Sequence, residues 1–166
     1  TELAPSSVFV ISQQEMRNMG ATTLEEVLNF VPGFQVLREG EQGNATRISV
    51  RGGTSALSSS VLFLINGERM NDLYTGGVSL LNRMIAIENI KQVEIIRGPG
   101  SALYGSNAFL GVVNIVLDFE QTNATLYSAG WDRKCAALQL SGRLNDEVNY
   151  SVFVKSFEDE GSAYKQ

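Results

Sequence analysis

Residues 90–117, which read IKQVEIIRGPGSALYGSNAFLGVVNIVL, decide the fold of this chain. Two apolar runs typical of strands, residues 93–96 and 112–117, flank a segment rich in glycine and small side chains. Glycines at this density mark backbone that turns tightly or passes close to other backbone. The segment also carries large apolar side chains, which a polar surface loop would lack: Leu103, Tyr104, Phe109 and Leu110. We therefore expect a compact, packed, irregular connection between two buried strands.

The same stretch contains three short motifs in a fixed order. They are Arg97-Gly98-Pro99, then Leu103-Tyr104-Gly105, then Gly111-Val112-Val113-Asn114-Ile115. In order and spacing they resemble the signature that closes the plug domain of TonB-dependent outer-membrane receptors. By this resemblance, six motif residues are expected to be structural: Gly98, Pro99, Tyr104, Gly105, Gly111 and Asn114.

The resemblance extends over most of residues 8–117. VIS at 10–12, GATTL at 20–24 and VPG at 31–33 are similar to the opening of the plug family. ISVRG at 48–52, which ends in the structural Gly52, and LING at 64–67 are similar to its middle. The family more often has aspartate where this chain has Asn66.

Composition bounds the class of protein. The 166 residues, 43% hydrophobic and 19% charged, suit one folded domain with room for an appendage. A net charge of −5 without a basic cluster argues against a nucleic-acid partner. One cysteine, Cys135, and no histidine argue against disulfides, zinc sites and His-based catalysis. We expect no cofactor, no metal and no catalytic group, and no apolar run reaches the roughly 18 residues of a membrane-spanning helix.

Helix and strand signals alternate through the first part of the chain. Residues 8–11 predict a strand, and the capping-box pattern Ser12/Glu15 predicts a helix over 13–19 that Gly20 ends. Thr22/Glu25 repeats that pattern before a second helix. The apolar face of this helix comprises Leu24, Val27, Leu28 and Val31.

Further strands, turns and loops fill the rest of this part. The sequence predicts strands over 34–37, 47–51 and 61–65, with a polar loop over 38–46 and a hairpin turn at Asn66-Gly67. It also predicts a loop over 71–78, a short helix over 79–86 and a single turn over 88–91.

The pattern changes after residue 118. Residues 122–131, 134–144 and 148–157 are three alternating runs of about the length of transmembrane β-barrel strands. In the middle run one face is polar (Cys135, Ala137, Gln139, Ser141, Arg143) and the other apolar (Ala136, Leu138, Leu140, Gly142). A soluble antiparallel meander fits the same alternation. The plug-like segment before it favours the barrel.

The predicted fold class is α+β. A globular plug of short mixed strands and short helices occupies residues 1–118, and antiparallel strands of an incomplete β-barrel occupy residues 119–166. Three strands cannot close a barrel, and a plugged barrel has about 22. The chain therefore looks like a plug with the first barrel strands, and its open strand edges are expected to favour self-association.

Two arginines are candidates for holding the plug in place. Arg51 and Arg97 each end a predicted strand and precede a glycine. Such arginines are expected to be at least half buried and to need carboxylate partners. The resemblance implies that these partners are glutamates on the inner wall of the barrel. A local pair with one of three glutamates is the alternative: Glu68, Glu88 or Glu94.

Loops 39–46, 54–60 and 71–78 are the candidates for ligand contact, because the resemblance implies plug loops that rise toward the outer face. The candidate ligand-binding residues are Arg38, Arg47, Arg69 and Tyr74. Their charges and ring suit an anionic or aromatic iron chelate. The alternative is that these four residues are solvated and contact no ligand. For Tyr104 we expect packing rather than ligand stacking.

The resemblance implies a transport role rather than an enzyme. The expected function is the plug of an outer-membrane receptor for a ferric siderophore, opened by TonB through an N-terminal segment upstream of residue 1. Cobalamin is the nearest competing cargo, and haem is less favoured because the chain has no histidine. A free-standing periplasmic binding or signalling module is the alternative from another class. The expected location is the bacterial outer membrane, with the plug inside the barrel.

Overall fold

The computed structural model describes residues 7–39, 45–54, 59–74, 76–78, 85–98, 100–120, 122–129, 133–145 and 148–158. Within these ranges the helices are α1 (Gln13–Asn18), α2 (Leu24–Asn29) and α3 (Ser101–Tyr104), and a 3-10 turn is at Ile87–Asn89. The strands are β1 (Ser7–Ser12), β2 (Phe34–Glu39), β3 (Ala45–Val50), β4 (Gly53–Thr54), β5 (Val61–Ile65), β6 (Glu68–Arg69), β7 (Ile90–Arg97), β8 (Gly111–Leu117), β9 (Asn123–Ala129), β10 (Arg133–Arg143) and β11 (Asn149–Glu158). Packing divides the chain into a first unit, Thr1–Leu117, and a second unit, Asp118–Gln166.

Helix α1 begins at the predicted capping box. The backbone N–H of Glu15 donates to Ser12 Oγ at 3.3 Å, and the backbone N–H of Ser12 donates to Glu15 Oε2 at 2.8 Å. The Ser12 hydroxyl also donates to the same carboxylate at 2.6 Å. This side-chain bond, followed by the backbone bond, lowers the pKa of Glu15. The helix ends before Gly20, whose φ of 67° is in the left-handed region.

The capping box of α2 lies one residue later than predicted. Thr23, not Thr22, is the N-cap, and Glu26, not Glu25, completes the box. Glu26 Oε2 accepts from the backbone N–H of Thr22 at 2.7 Å and of Thr23 at 3.3 Å, so its carboxylate satisfies two donors at once. Glu25 is buried instead. The predicted apolar face of α2 is confirmed for Leu24, Val27 and Leu28, which are all fully buried. Val31 is buried too, but it lies beyond the end of the helix rather than on it.

The five-stranded sheet of the first unit has the order β1-β7-β8-β5-β6. All its neighbouring strands are antiparallel except β5 and β8, which are parallel. The two strands of the 90–117 stretch, β7 and β8, are therefore adjacent in the middle of this sheet. One face of the sheet packs with α2 into a single core, whose fully buried members include Leu28, Phe63, Ile95, Val113 and Ile115.

A smaller sheet, β2-β3-β4, completes the first unit. The polar loop predicted over 38–46 is shorter than expected, because antiparallel pairing continues through Arg38↔Thr46 and Glu39↔Ala45. Strand β2 thus extends beyond the apolar residues from which it was predicted. The remainder of that loop, residues 40–44, lies outside the described residues, as does most of the helix predicted over 79–86.

The connection between β7 and β8 is compact but less packed than predicted. Ala108 is buried under it beside Leu62 and Val112, whereas Leu103 and Phe109 are exposed. The space beneath is already filled, since a Cβ at Gly100 would lie 2.9 Å from Val112 Cγ2. Leu103 and Phe109 therefore point outward, whereas Leu110 is partly buried against the core. The connection also contains α3, a helical turn that the sequence analysis did not predict.

The second unit is one antiparallel sheet in the order β11-β10-β9. The predicted two faces of β10 are confirmed by their burial. Cys135, Ala137 and Gln139 are buried, whereas Leu138 and Leu140 are exposed. The exposed face continues onto the neighbouring strands through Leu126, Val152 and Val154, so the apolar side chains of this sheet lie on its open face.

The buried face of this sheet is polar at its centre. Gln139 donates through Nε2 to the carbonyl of Asp118. The hydroxyl groups of Ser141 on β10 and Ser151 on β11 are hydrogen-bonded to each other at 2.9 Å. The assignment of residues 1–118 to a plug and of residues 119–166 to barrel strands stays a prediction. In the described parts of the chain, no helix has the length and apolar character to cross a bilayer.

Candidate functional site

The 71–78 loop is anchored by a buried asparagine. Asn71 follows β6 closely, and its Oδ1 accepts from the backbone N–H of Phe63 at 2.7 Å. Its Nδ2 donates to the carbonyls of Val61 and Gly76, both at 2.9 Å. Asn71 thereby satisfies β5 backbone groups and holds the far side of the loop with the same amide. Burial makes the bonds of this amide costly to break, since its own polar atoms would lose their partners away from water.

Asp72 makes several hydrogen bonds within this loop, of which residue 75 lies outside the described residues. The backbone N–H of Asp72 donates to the carbonyl of Gly77 at 2.9 Å, and the backbone N–H of Gly76 donates to the carbonyl of Asp72 at 2.8 Å. The carboxylate of Asp72 accepts from the backbone N–H of Tyr74 at 3.0 Å. Tyr74, the predicted ligand contact, is 97% exposed. Its ring is therefore presented to solvent on a fixed turn, a suitable arrangement for stacking on a ligand.

Arg69 is bound to the turn that follows α3. Its Nη1 donates to Ser106 Oγ at 3.0 Å and to Asn107 Oδ1 at 2.9 Å. Its Nη2 donates to the carbonyls of Tyr104 at 3.2 Å and Ser106 at 3.0 Å. Four acceptors thus engage a guanidinium that the sequence analysis assigned to a ligand. That assignment stays a prediction, and the geometry adds a structural role.

Asn107 links this turn to the 71–78 loop. Its Nδ2 donates to the carbonyls of Ser59 at 2.7 Å and Gly76 at 2.9 Å, while its Oδ1 accepts from Arg69. Its φ of 70° is left-handed, a conformation that asparagine tolerates better than most side chains. The sequence analysis singled out neither Asn71 nor Asn107. The available signal was an asparagine in each of two loops that also contain glycine.

The other two ligand candidates lie on the small sheet. Arg38 is on β2 and Arg47 on β3, and their side chains are outside the described residues. The structure therefore brings Arg69 and the 71–78 loop together through Asn107 and leaves Arg38 and Arg47 as predictions. Within the described residues, no group of three or more acidic or thiol side chains is arranged to hold a metal ion.

The two candidate locking arginines differ in their surroundings. Arg51 lies just after β3 in a left-handed turn with φ of 52° and is exposed in this chain, so its expected half burial against a barrel wall stays a prediction. The Cγ of Arg51 lies beside Gly33, 3.6 Å from the position that a Cβ on that glycine would take. Arg97 is partly buried, donates from Nη1 to the carbonyl of Pro32 at 2.7 Å and stacks 4.1 Å from the ring centre of Phe9.

The signature residues occupy positions with distinct constraints. Gly98 has φ of 117°, which side-chain-bearing residues rarely adopt, and a Cβ on Gly111 would lie 2.9 Å from the carbonyl oxygen of Ile96. Asn114 accepts from the backbone N–H of Gly67 at 3.0 Å and donates to Glu94 at 2.9 Å. It therefore joins β8 to β7 and to the turn between β5 and β6.

The remaining signature residues are mostly in turns. Gly52 and Gly105 both have positive φ, and Pro99 lies outside the described residues. Tyr104 is 39% exposed, so it is not part of the core, and its expected packing against a barrel stays a prediction. Residues 1–6 are also outside the described residues.

Comparison with protein families gives one match over most of the chain. The family model described as "TonB-dependent Receptor Plug Domain" matches residues 1–112. Among curated relatives, the vitamin B12 transporter BtuB of Vibrio vulnificus strain CMCP6 is 39% identical over 126 residues, 75% of this chain and 20% of that protein. BtuB of strain YJ016 is 35% identical over 161 residues, 95% of this chain and 25% of that protein. The chain thus spans a fifth to a quarter of these relatives.

Comparison with solved structures gives matches that cover nearly the whole chain. The ferric yersiniabactin uptake receptor FyuA from Yersinia pestis aligns with a TM-score of 0.67 and 26% identity, over 90% of this chain and 24% of that one. The ferric-catecholate import receptor Fiu from Escherichia coli aligns with a TM-score of 0.66 and 26% identity, over 94% of this chain and 22% of that one. The predicted fold class is confirmed by these alignments.

Proposed function

This chain belongs to the TonB-dependent receptor plug family, and from that premise we propose that it is the gate of an outer-membrane active-transport receptor. The observation that carries the proposal is the family match over residues 1–112, which includes β7, α3 and the start of β8. TonB-dependent receptors are bacterial outer-membrane proteins. We assign residues 1–118 to the plug, and we propose that it lies inside the barrel and faces the periplasm.

We assign residues 119–166 to the first strands of that barrel. Support comes from β10 and β11, which are 11 and 10 residues long, close to the length that crosses a membrane as a tilted strand. Their exposed apolar face and polar buried face match the pattern of a barrel wall with lipid outside. Strands β9 and β11 are the edges of this sheet, and further barrel strands or a second copy of the chain would pair there.

The proposed ligand is a ferric siderophore. The solved structures that align with this chain include siderophore receptors, and the exposed Tyr74 offers a ring on an ordered loop. Arg38 and Arg47 would add positive charge for an anionic chelate. Arg69 would act from the base of the same loop, through the turn that it holds. We propose no enzymatic role, and the named relatives are transporters and receptors.

Cobalamin is the second candidate ligand, and one observation favours it. The two curated relatives are vitamin B12 transporters, and their identities of 39% and 35% exceed those of the siderophore receptors. The two ligands differ in charge and shape. Binding measurements on one protein therefore distinguish them.

The gating proposal needs a partner. We propose that TonB pairs as an added strand with an N-terminal segment upstream of residue 1, a form of β-augmentation. Force on that segment would then reach β1, an edge strand that pairs only with β7 among the strands of its sheet. In this proposal the chain as printed binds TonB weakly or not at all, and a tight complex with residues 1–166 would contradict it.

The central experiment is ligand titration of the full receptor that carries this chain, reconstituted in detergent. Ferric siderophores of several classes and cobalamin are titrated in parallel against the wild type and Tyr74→Ala. We expect one ligand to bind and Tyr74→Ala to weaken it about tenfold, because the ring stacks on the chelate. Tyr150→Ala, which removes an exposed tyrosine from β11, is the matched control and should leave affinity unchanged. A receptor that binds none of these ligands would overturn the proposed cargo.

A second experiment tests the locking role of Arg97. In receptor reconstituted in vesicles, Arg97→Ala should increase both protease cleavage of the plug and leakage of small solutes. It removes the bond to Pro32 and the contact with Phe9 as well as any contact with the barrel wall. Arg17→Ala, in the exposed part of α1, is the control. Leakage and cleavage equal to those of the control would count against the lock.

A further inference from the structure

We propose that Arg69, Asn71 and Asn107 form a clamp that positions the 71–78 loop for ligand binding and couples it to the turn after α3. The proposal rests on the proposed function, because it takes that loop as a ligand contact. The three side chains are positioning residues. They hold the loop through its backbone, and we assign the ligand contact itself to Tyr74 at the tip.

The clamp converges on one backbone atom. The carbonyl oxygen of Gly76 accepts from Asn71 Nδ2 and from Asn107 Nδ2, both at 2.9 Å. These two asparagines come from different parts of the chain, one after β6 and one after α3. The C-terminal half of the loop is therefore fixed between the sheet and the turn, and its tip carries the exposed Tyr74.

Arg69 sets the position of Asn107. The Oδ1 of Asn107 accepts from Arg69 Nη1, which orients the amide so that its Nδ2 faces Ser59 and Gly76. The other donors of Arg69 hold the carbonyls of Tyr104 and Ser106, so the whole turn is tied to β6. A planar guanidinium with several donors suits this task, which the single ammonium of lysine cannot reproduce.

Close approach at Gly76 makes the fit specific. A Cβ placed on Gly76 would lie 2.8 Å from Asn107 Nδ2, and the φ of Gly76 is 68°. The loop and the Asn107 amide therefore leave no room for a side chain between them. Displacement of the loop by a ligand must either break these bonds or move the turn with it. That turn belongs to the connection between β7 and β8, so ligand arrival at the tip would reach the centre of the sheet.

The test uses the full receptor and two readouts. Asn107→Asp keeps the acceptor for Arg69 but removes both donations from Nδ2, and Arg69→Lys removes the fork. Both should raise amide hydrogen exchange of residues 72–78 about tenfold, the effect of losing one or two hydrogen bonds. Both should also weaken the receptor's best ligand among ferric siderophores and cobalamin by about threefold to tenfold. Asn18→Asp and Arg17→Lys, on exposed α1, are matched controls that should change neither readout.

The outcomes separate this proposal from the proposed function. Unchanged exchange of residues 72–78 in both variants would overturn the clamp, whatever the ligand does. Faster exchange with unchanged affinity would overturn the positioning role, because the loop would be held without serving the ligand. If the wild type binds no metal chelate, the cargo proposal fails. Gly76→Ala supplies a third variant that breaks the clamp from the loop side and should give the same increase in exchange.

Discussion

The five-stranded sheet of the first unit and the β9–β11 sheet of the second unit bury opposite kinds of side chain. Phe63, Ile95 and Val113 are completely buried in the first, where apolar residues meet α2. In the second, Gln139 is completely buried while Leu138 on the neighbouring position is 44% exposed. In both sheets successive side chains of a strand point to opposite faces. Strand β5 of the first sheet is buried on both faces, whereas β10 of the second is buried on one. The surroundings of each sheet therefore decide whether one face or both are buried.

The largest effect is expected from Leu28→Ala. Leu28 is fully buried in the core of the first unit, and its loss should lower the free energy of unfolding by about 2–5 kcal/mol because a cavity remains. Leu140→Ala, on the exposed face of β10, is the matched variant and should cost less than about 1 kcal/mol in water. Urea denaturation followed by hydrogen-exchange mass spectrometry reports each unit separately. Equal losses of unfolding free energy in the two variants would contradict the stated difference between the two sheets.

A charge on the exposed face of the second sheet is expected to have nearly as large an effect, but only in lipid. Leu138→Arg should destabilise the full receptor in bilayers by about 2–4 kcal/mol, because the guanidinium would lie in hydrocarbon. Leu144→Arg, just after β10, should cost about 0–1 kcal/mol as expected near the membrane surface. Urea unfolding in vesicles measures both. If the two variants are equally stable, the exposed face of β10 does not face lipid.

Two glycine substitutions compare how the sheets respond to an added methyl group. Gly111→Ala should cost about 1–3 kcal/mol, because the Cβ would lie 2.9 Å from the carbonyl oxygen of Ile96 and the paired backbone cannot give way. Gly142→Ala should cost no more than about 0.5 kcal/mol. Its Cβ would lie 2.6 Å from the hydroxyl oxygen of Tyr150, an exposed ring that is free to swing aside. Thermal denaturation of both variants ranks them, and the reverse order would contradict this account.

The smallest effect concerns pH and is confined to α1. The pKa of Glu15 lies below its ordinary value of 4.5, so its bonds to Ser12 stabilise the helix fully above that pH. This contribution is lost as the pH falls through the lowered pKa, because protonation removes the carboxylate acceptor. Amide chemical shifts of α1 should change over that range and stay constant at higher pH. Glu15→Gln is the control, in which the shifts should no longer titrate with a carboxyl group.

Local features of the fold were predictable because their causes lie within a few residues. The Ser12/Glu15 box, the buried face of α2 and the hairpin turn at Asn66-Gly67 all follow from such signals. The second capping box was displaced by one residue because both Thr22 and Thr23 offer a hydroxyl. Only the backbone conformation of Thr23 decides between them.

The candidate site was less predictable because its contacts are distant in sequence. The acceptors of Arg69 lie 35 to 38 residues further along the chain, so a structural role was not visible beside a charge that suits a ligand. Asn71 and Asn107 bind mainly backbone groups, which leave no pattern in the sequence. Arg51 likewise lies in a left-handed turn, and an arginine in the sequence does not predict such a turn.

The parallel pairing of β5 with β8 has a consequence for folding. Residues 61–65, VLFLI, pair with residues 111–115, which are distant in sequence, and such non-local parallel pairing forms slowly. Until β8 docks, β5 lacks this partner. Its nearer partner, β6, pairs with it through only two residues. During that interval a strongly apolar strand has an unpaired edge, the kind of segment that self-aggregates or binds a chaperone. Docking of the 90–117 stretch ends this exposure, so the sheet is complete only after that stretch has folded.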